Sequence, residues 1–197
     1  MGLFIETLIT LLVLVVLVWV IVLIAKRFSK KLTVNQKKWW LIIHIGFVII
    51  YFGGLLGTLL LANVATTKVI EQEQIYAAHL FSKYCDWYLI IPGAFGCLIT
   101  GVWLSMRTHW GLTNYRWVMV KLFGHIGAIL YGSSLMRVWF DKTVELSLNN
   151  QLNPLQNPAY IHNRQMLIMG TIISLSILTF ILITSYLKPW GKIGRAE

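Results

Sequence analysis

The sequence predicts an all-α membrane protein in which five transmembrane helices form a four-helix bundle, spans two to five, plus one N-terminal helix. Three observations predict it. The 197-residue chain is 57% hydrophobic and only 12% charged, with mean hydropathy +0.71, outside the range of soluble globular domains. Its apolar residues fall into five runs, each about long enough to cross a bilayer at 1.5 Å per residue. The charged residues sit almost entirely between those runs.

The spans read as roughly 3–25, 39–64, 87–106, 116–138 and 165–187. Three regions follow: an N-terminal helix and basic loop over 1–38, a four-helix transmembrane domain over 39–190, and a tail over 191–197. The first span has Glu6 where a secretory signal would carry bases, and its bases follow it, so it reads as a permanent helix. Without Gly, Pro or Cys between residues 3 and 25 it has little to offer a polar site, and it is expected at the edge of the bundle.

The net charge of +10 has a definite placement. Lys26, Arg27, Lys30, Lys31, Lys37 and Lys38 lie between spans one and two with no acid among them. Arg107 and Arg116 flank the turn between spans three and four, and Lys188, Lys192 and Arg195 follow span five. Glu71, Glu73, Asp86, Asp141 and Glu145 occupy the other loops. Positive residues favour the cytoplasmic side. The alternation therefore predicts a multi-pass protein of the inner (plasma) membrane with its N-terminus outside and its C-terminus in the cytoplasm. The bases are topogenic and face anionic lipid headgroups; no nucleic acid partner is expected.

Spans two to four carry small residues at helical spacing, which lets backbones approach closely in lipid. Gly53 and Gly57, the row Gly93, Cys97 and Gly101, and the row Gly124, Ala128 and Gly132 predict the contact faces. Pro92 is expected to kink span three by removing one backbone donor. Cys85 and Cys97 are too far apart for a CxxC pair and read as packing residues. The polar segment from Asp141 to Asn163 reads either as a solvated loop or as a lid.

Two histidines lie inside the hydrocarbon, His44 in span two and His125 in span four, each opening a His-Ile-Gly tripeptide. Ionisable groups at membrane depth are costly and mark candidate sites. Trp117, Lys121 and His125 are four apart and share a face, as do His44 and Tyr51, seven apart. The histidines lie about 7 Å and 13 Å from the basic boundary. Two readings stand side by side. In one, neutral imidazoles hold a haem or a metal between helices, with Lys121 aimed at an acidic group of the cofactor. In the other, each histidine hydrogen-bonds to a neighbouring helix and Lys121 reaches toward the headgroups. No Walker loop, dinucleotide fingerprint, HExxH or nucleophile elbow is present, and no span carries a buried acid of the kind proton-coupled transport needs.

Three segments carry a resemblance. Trp40–Leu60, WLIIHIGFVIIYFGGLLGTLL, resembles the opening helix of a bacterial membrane superfamily in which a histidine is followed by an aromatic residue and a Gly-Gly pair. That superfamily includes CopD-type copper-resistance proteins, many predicted membrane proteins of unknown function and, as relatives, HemJ-type protoporphyrinogen oxidases. Ile91–Leu104, IPGAFGCLITGVWL, resembles their Pro…Thr-Gly-x-Trp-Leu helix. Trp117-x-x-x-Lys121-Leu122 resembles the start of the next HemJ-type helix, and Lys188-Pro189-Trp190 its ending. The resemblance implies haem b near His44 and Lys121. The family's histidine before its lysine is Met119 here, and its Asn-Glu-x-Pro is absent, so the acidic residue of the HemJ type is missing.

The leading expectation is a haem b-binding redox protein with His44 and His125 as metal ligands and Lys121 and Tyr51 beside the cofactor, acting on a tetrapyrrole or passing electrons to a quinone. One alternative is a copper-handling or permeation protein of CopD type, with Met119, Met136, Met166 and Met169 as soft ligands. The other is a non-catalytic accessory subunit. Association into a homo-oligomer is left open. The topology makes a direct prediction: a reporter fused after Glu197 will be active only if it is of the kind that works in the cytoplasm. Activity of a periplasm-dependent reporter there would contradict the assigned orientation.

Overall fold

The computed structural model describes residues 2–65, 71–148 and 153–193. Residues 149–152 of the Asp141–Asn163 segment and 194–197 of the predicted tail lie outside the described residues. The chain is all-α, with five helices long and apolar enough to cross a membrane. These are α1 (Gly2–Arg27), α2 (Val34–Asn63), α3 (Gln72–Arg107), α4 (Arg116–Leu148) and α5 (Pro158–Leu187).

Helices α2 to α5 close a ring in which α3 touches α2 and α4, and α5 completes the circuit between α4 and α2. The first helix lies outside that ring, against α3 and α4, burying only Leu14, Ile21 and Ala25. This is the edge position expected of it. The bases between α1 and α2, between α3 and α4 and after α5 collect at one end, where Leu32 N–H donates to the Arg107 carbonyl at 3.0 Å and Ile193 N–H to that of Asn114 at 2.9 Å.

All five helices are longer than their predicted spans, α3 and α4 most of all. A capping box starts α2 at Val34, with Thr33 accepting from Gln36 N–H and Gln36 accepting from Thr33 N–H. At the opposite end α3 and α4, 36 and 33 residues long, exceed the roughly 20 residues that cross a bilayer. Their outer segments, Gln72–Cys85 and Arg137–Leu148, pack on each other. The first part of the predicted loop, Asp141–Leu148, is therefore helix. These outer turns stay helical because each gives the other a surface to bury against, Ile75 and Ala78 on one side and Phe140 on the other.

These two long helices each contain one wide π turn, Asp86–Ile90 in α3 and Gly132–Met136 in α4, and a third, Leu61–Ala65, ends α2. In α3 the Ile91 N–H reaches back to the Asp86 carbonyl, so the ladder has already shifted where Pro92 offers no donor. The backbone irregularity expected at Pro92 takes this form.

The tightest seam joins α2 to α3. A Cβ on Gly93 would stand 2.7 Å from the Tyr51 backbone nitrogen, and one on Gly54 would stand 2.9 Å from Leu89 Cβ. Phe47 fills the space at Gly96, Cys85 Sγ lies against Gly57, and His44 Cε1 lies 3.4 Å from the Cβ position of Gly101. Trp40 meets Trp103 at 5.4 Å between ring centroids. Positions 40, 44, 47, 51, 54 and 58 of α2 thus alternate steps of four and three, the spacing of an apolar heptad seam. The small rows are partly relocated from expectation. Gly57, Gly93 and Gly101 lie on the seam, whereas Gly53 and Gly132 have no atom within 4 Å of a Cβ position and Gly124 meets only Ile181.

Gly93→Ala will therefore destabilise the bundle, by about 1–3 kcal/mol for overpacking against a backbone that cannot move aside. Gly53→Ala will be neutral or stabilising by up to about 1 kcal/mol from helix propensity. Thermal unfolding of the two variants in detergent checks this; equal midpoints would contradict the seam.

Candidate functional site

His44, Lys121 and His125 line one cavity in the centre of the four-helix ring, with a volume of about 80 Å³. Its walls are otherwise apolar or small, among them Val48, Leu98, Val102 and Leu178, with Cys97 and Ser105 as the other polar-edged side chains. That is smaller than the roughly 300–1,000 Å³ of small-molecule and cofactor sites, so a larger ligand would need the lining helices to part.

The hydrogen bonds fix the state of each imidazole. Thr100 Oγ1 donates its one proton to the Gly96 carbonyl at 2.6 Å, the usual back-bond of a helical threonine. That leaves the hydroxyl as an acceptor for His44 Nδ1, 2.6 Å away. His44 therefore carries its proton on Nδ1 and its lone pair on Nε2. His125 Nε2 lies 2.8 Å from the Ala94 carbonyl, which can only accept. His125 thus carries its proton on Nε2 and its lone pair on Nδ1. Each ring has one nitrogen committed to α3 and one, among the described residues, with no protein donor. Metal-ligating histidines share this arrangement, their outer N–H held by a protein acceptor. The same two bonds also tie α2 and α4 to α3, as a purely structural role requires.

The two acceptors are six residues apart on α3, about 9 Å of helix rise. The histidines therefore enter the cavity at different depths, as their positions in the sequence predict. Lys121 does not run out to solvent. Its ammonium donates to Ser185 Oγ on α5 at 2.9 Å and lies 5.5 Å from the centre of the Trp117 ring. Tyr51 meets His125 edge-on at 6.1 Å, but its side chain lines a different cavity. Three of the four expected site residues are thus brought together, and the fourth backs the site.

Thr100 is the residue that sequence reading missed. Its signal was present: it lies on the seam face of α3, seven residues past Gly93, opposite His44. The remaining histidines and the candidate methionines sit elsewhere. His79 is buried outside the cavity, 2.9 Å from Tyr160 Oη, while Arg164 Nε donates to the Ala62 carbonyl. His162 and His109 are exposed. None of Met119, Met136, Met166 and Met169 lines the cavity, and Met169 is exposed. Among the described residues no group of three or more His, Cys, Asp or Glu side chains is placed to hold a metal ion.

Comparison with protein-family models, with curated proteins and with solved structures returns no match. The functional reading rests on the site's own geometry and on the short motifs that surround it.

The hydrogen bond to His44 makes a testable claim. Thr100→Val keeps the shape of the side chain but leaves a buried N–H without an acceptor, a loss of about 1–3 kcal/mol. Ser176→Ala, on an exposed face of α5, removes a hydroxyl bonded only within its own helix and will cost far less. Unfolding midpoints of the two variants, measured side by side, check the difference; equal losses would remove Thr100 from the site.

Proposed function

We propose that the inner cavity is the cofactor site of a small integral-membrane redox protein and that the cofactor is haem b. The observation that carries this reading is the pair of oppositely protonated imidazoles in one apolar cavity, each with its N–H already engaged and its lone pair uncommitted. A redox-inert packing role needs the engaged nitrogen but not a shared cavity. His44 through Nε2 and His125 through Nδ1 are the residues that would hold the iron, and the bound haem supplies one-electron chemistry. Thr100 and the Ala94 carbonyl orient the rings and raise their basicity. Lys121, steadied by Ser185, is the cation for a propionate. The apolar lining keeps water from the site and lowers the local dielectric. The resemblance of Trp40–Leu60 and Ile91–Leu104 to HemJ-type helices supports the same cofactor, and a tetrapyrrole is the substrate class it suggests.

The placement of charge supports a bacterial plasma membrane location, with the basic end, and hence the half of the bundle holding Lys121, on the cytoplasmic side. A copper-handling role draws less support, because the four candidate methionines stand away from the cavity. The second reading is an accessory subunit whose histidines are structural, favoured by the inter-helix bonds that both rings make.

The visible spectrum of protein purified after expression with ample haem separates the readings. A Soret band that shifts on reduction is expected. His44→Ala will abolish retention of the cofactor while expression persists, and His125→Ala will either abolish it or shift the spectrum and midpoint. Lys121→Met will weaken retention without altering ligand-field bands. His79→Ala and His162→Ala, remote from the cavity, will leave the spectrum unchanged. Absence of any cofactor in the unaltered protein, or its loss only in the two remote variants, would overturn the assignment.

A further inference from the structure

A second cavity, of about 390 Å³, lies between α1, α3 and α4 beyond the Tyr51–His125 contact. Tyr51 and Ala94 form its floor, the same two residues that back and anchor His125, so one thin partition separates it from the inner cavity. The π turns of α3 and α4 contribute to its walls, Asp86 and Trp87 from α3 and Gly132 and Ser133 from α4. Each such turn inserts a residue into a helix, a device frequent at functional sites. Gly132, with nothing within 4 Å of its Cβ position, leaves the space open.

The polar groups of this cavity divide into two sets. Lys83 and Asp141 pair at 2.6 Å, and Arg137 lies 3.4 Å from Glu6 and 4.0 Å from Asp141. These charges satisfy one another. Two groups are left over. Tyr51 is only 3% exposed, lines the cavity, and its hydroxyl makes no hydrogen bond among the described residues. The Asp86 carboxylate enters no ion pair among them. Tyr51, a buried donor, and Asp86, an acceptor, therefore line a cavity whose other charges are paired.

The remaining wall is aromatic and aliphatic. Trp87, Phe95 and Phe140 join the Tyr51 ring around the space. Trp87 and Ile91 are 55% and 43% exposed on the flank of α3, so the cavity opens sideways toward lipid rather than only to water. A phosphate headgroup finds no uncommitted cation here. A simple alkylamine matches Asp86 but leaves the Tyr51 hydroxyl without an acceptor. A flat ring bearing oxygens on opposite edges, with an apolar tail, satisfies both groups and the aromatic wall.

We propose that this outer cavity binds a lipid-soluble quinol, one ring oxygen accepting from the Tyr51 hydroxyl and a ring hydroxyl donating to Asp86. The reduced form is selected because a quinone has no proton to give the carboxylate. The proposal goes beyond the haem reading and does not depend on it, since the cavity and its groups exist whether or not the inner site is loaded.

The test is retention of a decyl-substituted benzoquinol, kept reduced under anaerobic conditions, by the full chain in phospholipid nanodiscs, with empty discs subtracting partition into lipid. Saturable binding at one per chain is expected, tighter for the quinol than for the matching quinone. Tyr51→Phe and Asp86→Asn, both close in shape to the original, will each weaken quinol binding about tenfold, the loss of one hydrogen bond. Asp86→Asn will in addition erase the preference for the reduced form. Ser176→Ala will bind as the unaltered chain does. No saturable binding above empty discs, unchanged affinity in both variants, or displacement of the quinol by decylamine or by a porphyrin at lower concentration would each overturn the proposal.

Discussion

Lipid offers no hydrogen-bond partner, so a polar group carried into hydrocarbon is satisfied only from within the bundle. Helix α3 supplies the partners of both histidines in the inner cavity. Its Thr100 hydroxyl and Ala94 carbonyl accept the protons of His44 and His125. It can do so because Gly93 and Gly96 let α2 approach until Tyr51 and Phe47 rest against its backbone. Close approach thus comes first, satisfied imidazoles follow from it, and the cavity is what remains where the side chains of α4 and α5 do not fill the centre.

The same order explains the position of the two cavities. Tyr51 lies on the α2 seam seven residues from His44, so fixing one fixes the other. Its ring lies against His125 behind the inner cavity, and its side chain lines the outer one. The π turns widen α3 and α4 where the bundle passes from its apolar middle to the paired outer segments, and the outer cavity occupies that widening.

Much of this was legible in the sequence. The five spans follow from hydropathy alone, and the edge position of α1 follows from its lack of small and polar residues. The shared faces of His44 with Tyr51 and of Lys121 with His125 follow from spacing. Less legible were the outer segments Gln72–Cys85 and Arg137–Leu148, whose polar composition resembles loop until each has the other to pack against. The start of α2 was written in Thr33 and Gln36 but lies ahead of the apolar run that marks the span. Gly53 and Gly57 satisfy a small-residue motif equally, yet only Gly57 has a partner at its Cβ position, Cys85 Sγ on α3. A carbonyl acceptor such as that of Ala94 has no signature in sequence at all.

The central claim is that two neutral imidazoles of opposite tautomer are held in one cavity by α3. Nitrogen-15 NMR of histidine-labelled protein without added cofactor tests it most directly, with His44→Gln and His125→Gln assigning the signals. The structure predicts a neutral His44 protonated on Nδ1 and a neutral His125 protonated on Nε2. Both rings protonated on the same nitrogen, or either carrying two protons at neutral pH, would contradict it.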